Sequence, residues 1–234
     1  MGIRAVITPV ADLSEKQVHH MLRIMQAYYH NVSRDQFLKD LEEKDLVILL
    51  WENDCIRGFS TQMLFDHEVE GHWIRVIFSG DTIIEKNCWG SLALPVAWGR
   101  MMLSILSGYP DREVYWLLTS KGYKTYRFLP VFFREFYPSC MKETPAFEKV
   151  LLCSLGRRKF GDRFDLESWI IRASEGAQYL RSGVADITEA RRKDKHVAFF
   201  EKANPGHTGG DELVCIARCQ EENIKPFILR RLRP

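Results

Sequence analysis

Residues 45–78 read DLVILLWENDCIRGFSTQMLFDHEVEGHWIRVIF, and their changes of period decide the fold class. Residues 45–51 are a continuous apolar run of strand length, and Asn53-Asp54 supplies turn chemistry. A second extended stretch starts at Cys55 and contains Gly58. The polar DHEVEG of 66–71 ends in glycine, and WIRVIF at 73–78 makes a third strand. Three extended segments joined by short polar turns predict an antiparallel meander. Ser79-Gly80-Asp81 is read as the break that ends it.

On the N-terminal side, residues 3–10 are a short apolar strand. Ser14 opens SEKQ, a capping box, and Val18, Met21, Leu22 and Met25 recur at helical spacing behind it. Ser33-Arg34-Asp35-Gln36 is a second capping box, opening a short helix with Phe37, Leu38 and Leu41 inward. On the C-terminal side, a loop reaches Trp89-Gly90-Ser91, and an apolar helix spans 92–107 until Gly108. Being apolar around most of its circumference, it is expected to be buried on several sides. EVYWLLT at 113–119 is another strand, followed by an aromatic segment to Tyr137. The order β, α, α, β, β, β, α, β, α predicts an α/β fold: a mixed, mostly antiparallel sheet flanked by helices.

The remainder is read as an α+β C-terminal extension, 141–234, packed on a core of 1–140. It begins with a helix at 144–160, with Phe147, Val150, Leu151 and Leu155 inward and Arg157-Arg158-Lys159 at its C-terminal end. A short strand at 169–171, a helical turn within 186–193, the glycine-rich loop NPGHTGGD at 204–211 and a strand at Glu212–Cys219 follow.

The chain has 234 residues, 46% hydrophobic and 27% charged, with a formal charge of +2. That balance gives no general push toward nucleic acid or anionic lipid, so no nucleic-acid partner is expected. The most apolar stretch, 92–106, is interrupted by Pro95 and Arg100 and is too short to span a bilayer, so no membrane insertion is expected. None of the six cysteines forms a CxxC pair, and no secretory leader is read at the N-terminus. Reduced thiols and a cytoplasmic location are the expectation.

The element order of residues 3–138 is similar to the GNAT superfamily of acyl-CoA acyltransferases. YWLLTSKGYKTY at 115–126 looks like a bacterial subfamily of GNAT-like proteins of unassigned function. The resemblance implies an N-acyltransferase moving an acyl group from acyl-CoA, or from an acyl carrier protein, to a small-molecule amine. It also implies that the loop before the long helix cradles the CoA pyrophosphate. A helix N-terminus offers unpaired N–H donors and partial positive charge, and glycine lets an anion approach. The family pattern is Gln or Arg, two free positions, Gly, one free position, then Gly or Ala. Gly90 matches the last position, while Glu85 and Cys88 depart from the first and fourth. Lys86, Asn87, Trp89, Gly90 and Ser91 are the implied cofactor-binding residues. The two departures motivate an alternative, a GNAT-like module that binds or scaffolds without catalysis.

The resemblance also implies a tyrosine acid for the leaving thiolate, early in the helix after the fifth strand. Tyr126 is the candidate, with Tyr123 its neighbour. For a general base, His72 sits by Glu68 and Glu70 and has a suitable ordinary pKa. Asp81, at a strand end, is the other candidate. The plain readings are packing aromatics, a solvated hairpin and a turn cap. Cys88 near a helix N-terminus is a candidate nucleophile or a small buried residue. His207 in the glycine-rich loop offers a second alternative, a metal-dependent enzyme, although its spacing fits no metal motif and no metal is expected. The aromatic run 126–137, with Arg127 and Arg134, suits a buried helix face, a base-stacking surface or an acyl tunnel.

Overall fold

The computed structural model describes residues 2–233. β1 (Arg4–Pro9) leads to α1 (Glu15–Tyr28), which starts at the expected capping box: the Ser14 hydroxyl accepts from the Gln17 N–H while the Gln17 side chain accepts from the Ser14 N–H. A two-residue strand, β2 (Tyr29–His30), precedes α2 (Arg34–Glu42). The meander is β3 (Leu46–Glu52), β4 (Cys55–Val69) and β5 (His72–Ile84). Asn53 and Asp54 turn the first hairpin, and Glu70 and Gly71 the second, each with φ positive. Such pairs give the tight turn whose twist matches that of the strands.

After α3 (Ala93–Gly108) and β6 (Glu113–Ser120), the aromatic run forms two short helices, α4 (Tyr123–Tyr126) and α5 (Phe128–Phe132). α6 (Ala146–Phe160) is followed by the short strands β7 (Phe164–Asp165), β8 (Ile170–Ile171) and β9 (Tyr179–Leu180). Then come α7 (Glu189–Arg192), α8 (Lys195–Ala203), β10 (Glu212–Cys219) and α9 (Pro226–Leu232). Neither α8 nor α9 is anticipated from the sequence pattern. α8 is started by the Asp194 carboxylate, which accepts from the His196 N–H, and α9 by Pro226 in its first turn.

The eight-stranded sheet runs β1-β3-β4-β5-β6-β10-β8-β7, and every pair except β5/β6 is antiparallel. Residues 141–234 therefore supply strands to the same sheet as the core: β10 pairs with β6 from Leu213↔Ser120 to Cys219↔Val114. Strand alternation sorts the core onto two faces. Val47 and Leu49 meet Met21, Met25, Phe37 and Leu41 of α1 and α2, and on the same face Val76, Phe78, Leu117 and Ile216 meet Leu151, Leu152 and Leu155 of α6. Ile48, Leu50, Ile77, Trp116 and Leu118 point the other way, against α3, α5 and α9. Each fully buried aliphatic side chain contributes about 1.5–3 kcal/mol. In α6 the buried positions are Leu151, Leu152 and Leu155; Val150 is exposed, which corrects the expected phase of this helix by one residue.

The structure corrects one further expectation. β5 does not break at Ser79-Gly80-Asp81 but runs on to Ile84, because Thr82, Ile83 and Ile84 pair with Ser60, Phe59 and Gly58. That pairing is tight. A Cβ on Gly58 would stand 2.6 Å from the Ile83 carbonyl oxygen and 2.9 Å from the Ile84 Cα. Backbone atoms inside a sheet cannot yield, so Gly58→Ala is expected to cost about 3 kcal/mol, as overpacking does, read as a lower denaturant midpoint at unchanged slope.

Candidate functional site

β5 and β6 pair in parallel from Ile74↔Glu113 to Ser79↔Leu118 and then part. The cause lies on the other side of β5. Gln62 of β4 faces Ser79 and Ser60 faces Thr82, so two steps of β4 match three of β5. The extra residue is a β-bulge at Gly80-Asp81, which bends the strand and re-aims a side chain. Asp81 thereby joins Phe78 in lining one cleft, although an odd spacing would put them on opposite faces of a regular strand. Gly80 permits the bulge, since a Cβ there would meet the Thr61 hydroxyl at 2.7 Å and the Lys44 Cε at 3.0 Å.

Two cavities open where the strands part. On the α1/α2/α6 face lies a polar cleft of about 680 Å³, with Asp81, Lys44, Lys121, Lys159 and Glu212 in its walls. On the α3 face lies a more apolar pocket of about 330 Å³, walled by Ile84, Trp89, Leu92, Pro95, Phe128 and Leu180. Tyr29, Thr82 and Thr125 line both. A slot of about 20 Å³ extends from Thr82 and Thr125 between Trp98, Trp116 and Phe132. The polar cleft and the apolar pocket are thus two sides of one gap.

A buried chain of hydrogen bonds fixes that gap. The Trp116 indole donates to Ser79 Oγ (2.8 Å), Ser79 to Gln62 Oε1 (2.6 Å) and Gln62 Nε2 to Ser60 Oγ (2.7 Å), and the Ser60 and Thr82 hydroxyls lie 2.7 Å apart. Fully partnered polar groups of this kind rigidify a core. The roof is a two-stranded ribbon of β2 and β9, with Tyr29↔Leu180 and His30↔Tyr179 paired. His30 stacks on Tyr179 at 4.7 Å, and Asn31 Nδ2 donates to the Ala177 carbonyl (3.1 Å).

The loop 85–91 forms one side of the apolar pocket. Trp89, Gly90 and Ser91 line it, with Gly90 at φ +90°. The start of α3 has no side-chain cap at Leu92, and Ser91 Oγ accepts from the Ala93 N–H. Trp89 donates its indole N–H to the Ile84 carbonyl (2.8 Å), and Lys124 Nζ stands 3.1 Å from a Trp89 ring centre. Burial, then Arg191 and Lys86, lower the Lys124 pKa to about 8. The aromatic face opposes this by favouring the charged form. Lys86 and Asn87 are exposed and do not line the pocket, and the Lys86 N–H is already donated to the Tyr28 hydroxyl (2.6 Å). Of the five expected cofactor residues, the structure brings Trp89, Gly90 and Ser91 together at the pocket wall.

Asp81 is half-buried in the polar cleft, and no hydrogen bond reaches its carboxylate among the described residues. Burial pushes its pKa up, against the pull of Lys121 and Lys44. Tyr29 is likewise pushed far above the usual phenol range, by burial first and then by Asp81 and Glu212, so it stays protonated. The gap thus holds a base candidate and a proton donor side by side.

The other expectations are corrected. Tyr126 is fully buried, its hydroxyl donates to the Pro138 carbonyl (3.0 Å), and Phe136, Phe199 and Phe200 surround its ring, so it reaches no cavity. His72 is exposed at the far end of β5, seven residues and about 23 Å before Ser79 at strand rise. Its ring meets the edge of Phe147. The Cys88 thiol is buried and its pKa raised, the reverse of what a helix N-terminus alone would do. His207 Nδ1 lies 2.9 Å from the Asn204 carbonyl, and no group of three metal-ligating side chains stands together among the described residues. That donor set does not fit a metal centre. Tyr29, Thr82 and Thr125 carry no motif; only their meeting in space marks them.

The parted parallel strands lie in an α/β architecture, a mixed, mostly antiparallel sheet flanked by helices. No family profile matches the chain, and no curated protein is detectably similar. Among solved structures, it is similar to a probable N-acyltransferase of unknown function from Enterococcus faecalis (11% identity, TM-score 0.43, 56% of this chain and 33% of that one). It is also similar to an acyl-CoA N-acyltransferase from Pseudomonas aeruginosa (14%, 0.37, 51% and 80%) and to ElaA of Escherichia coli (20%, 0.38, 59% and 94%). The matched region spans about a third of the Enterococcus protein.

Two measurements check this geometry. Because burial raises the Asp81 carboxyl above its unfolded value, the stability held by the protonated form is present in acid and lost as pH rises through the raised value. Asp81→Asn is therefore expected to raise the melting temperature at neutral pH, by roughly 2–4 °C per kcal/mol recovered, and to change it little in acid. Tyr126→Phe removes one neutral hydrogen bond and is expected to cost about 1 kcal/mol of stability while leaving ligand binding unchanged, read by denaturation and titration.

Proposed function

We propose that this chain is an N-acyltransferase that holds an acyl thioester in the apolar pocket and passes the acyl group through the strand gap to an amine in the polar cleft. The observation that carries the reading is the meeting of the two cavities at Tyr29, Thr82 and Thr125. The start of α3 and Gly90 lie on one side, and the unpartnered Asp81 on the other. The donor is acyl-CoA, or an acyl carrier protein presenting the same phosphopantetheine arm. Lys124 and Lys86, both near the Trp89 ring, suit its phosphates.

In this reading Asp81 takes a proton from the acceptor ammonium, and the free amine attacks the thioester carbonyl. The tetrahedral intermediate gives up its remaining ammonium proton as it collapses to the amide and expels the thiolate. Tyr29, kept protonated by its surroundings, relays that proton, donating its own to the thiolate while taking the one the nitrogen loses, the task the family resemblance gives to Tyr126. A raised Asp81 pKa leaves a better base than an ordinary carboxylate.

The test is thermal unfolding with acyl-CoAs of rising chain length, since a ligand that binds only the native state raises the midpoint. A chain-length-dependent rise is expected, abolished by Gly90→Asp. Asp81→Asn is expected to keep that rise while turnover, read as thiol release, falls about 10²–10⁴-fold, and to lose the acid limb of the pH profile. Absence of any shift with free acyl-CoA and with acylated carrier protein overturns the reading in favour of a non-catalytic module. That alternative is favoured by Glu85 and Cys88, which stand where the family pattern has other residues.

A further inference from the structure

The charges of the polar cleft are not all paired. Lys159 pairs with Glu43 (2.5 Å), Lys121 with Glu212 (2.6 Å) and Arg172 with Asp165 (2.8 Å) and Asp211 (3.1 Å). Lys44 has no carboxylate partner among the described residues; its Nζ donates to the backbone carbonyl of Asp40 (2.6 Å) and keeps two N–H donors free. It is half-buried, and its stem lies against Gly80, next to Asp81.

Lys44 and Lys159 come from different elements, one past the end of α2 and the other from the last turn of α6. Their Nζ atoms stand 5.8 and 5.4 Å from the centre of the same Phe78 ring. Burial and the charge of Lys159 both disfavour the charged form of Lys44. Arg163, Asp40 and Glu175, also in the cleft wall, make no ion pair among the described residues. Glu43 already pairs with Lys159, so Lys44 is the ammonium left without a carboxylate, and a half-buried ammonium in that state is costly unless an anion reaches it. Phe78 lies three residues before Asp81, and the bulge between them brings both into the same cleft. One cleft therefore has a cationic seat with an aromatic floor beside a carboxylate awaiting an ammonium.

We infer that the acceptor is an amine carrying a carboxylate or phosphate a few bonds from its nitrogen, with the anion between Lys44 and Lys159 over Phe78 and the ammonium at Asp81. This rests on the reading of the polar cleft as the acceptor side of an acyltransferase. It excludes polyamines, which would bring a second cation to the lysine pair.

The experiment measures thiol release from acyl-CoA with amino acids, aminoalkyl phosphates, the corresponding amino-acid amides and diamines. Anionic acceptors are expected to have kcat/KM at least tenfold above their amides, and the carboxylate and phosphate arms tell which anion the seat prefers. Lys44→Met and Lys159→Met keep the aliphatic stem over Phe78. Each is expected to raise KM for anionic acceptors about tenfold with kcat nearly unchanged, and to leave the amides unaffected. Calorimetric titration of the same acceptors into the CoA-saturated protein reads binding without turnover, and the melting temperature confirms that each variant is folded. Amides or diamines that match the anionic acceptors overturn the inference, as do lysine variants that weaken all acceptors equally. A donor-dependent thermal shift accompanied by either result sinks this inference alone; absence of both thermal shift and thiol release sinks the acyltransferase reading with it.

Discussion

The approach of Gly80 to Thr61 leaves no space for a side chain, and the tertiary structure turns on it. Because only glycine fits there, β5 can hold one residue more than β4 opposite it, and the strand bends instead of ending. The bend takes β5 away from β6, and parallel pairing stops at Ser79↔Leu118. Two helical layers that would otherwise be separated by a continuous sheet then share an opening. The bulge also turns Asp81 into that opening, so the same extra residue creates the gap and furnishes its carboxylate.

A gap in a sheet exposes backbone and side-chain polar groups that the core must satisfy. The chain from Trp116 through Ser79, Gln62 and Ser60 to Thr82 does so within the core, leaving Thr82 to face the cavities. Asp81 has no such partner. Its raised pKa and that of Tyr29 mark a place where the fold tolerates an electrostatic cost. Perturbed titratable groups facing one another across a cleft characterise functional sites more often than structural ones.

The C-terminal residues complete this site. β10 covers the far edge of β6 and extends the sheet, so β6 is buried on both edges. β9 reaches back to β2 and fastens the end of α1 over the gap. The Arg181 N–H donates to the Tyr28 carbonyl (2.9 Å), holding Tyr28 and Tyr29 where the two cavities meet. Glu212, at the start of β10, pairs with Lys121 in the polar cleft, while Leu180, Val184 and Ala185 wall the apolar pocket. A core ending at residue 140 would lack one wall of each cavity.

What the sequence determined by itself is short-range. Capping boxes at Ser14 and Ser33, turn pairs at Asn53-Asp54 and Glu70-Gly71, and the alternation of the meander specify elements from neighbours within a few residues, so they are legible along the chain. The same local logic marks Asp81 as a carboxylate beside a glycine break and Trp89-Gly90-Ser91 as a loop before the long helix. It misjudged Ser79-Gly80-Asp81, because glycine ends a strand or bulges one according to what packs opposite, here Thr61 and Lys44. The family resemblance points to Tyr126, with Tyr123 its neighbour, and only packing shows that the Tyr126 hydroxyl is spent on Pro138 while Tyr29, which no motif marks, lines the gap. The junction of Tyr29, Thr82 and Thr125 and the pairing of Lys44 with Lys159 over Phe78 join residues far apart in the chain. Tertiary structure alone decided these, since sheet register and helix docking act across separations that carry no periodic signal in the sequence.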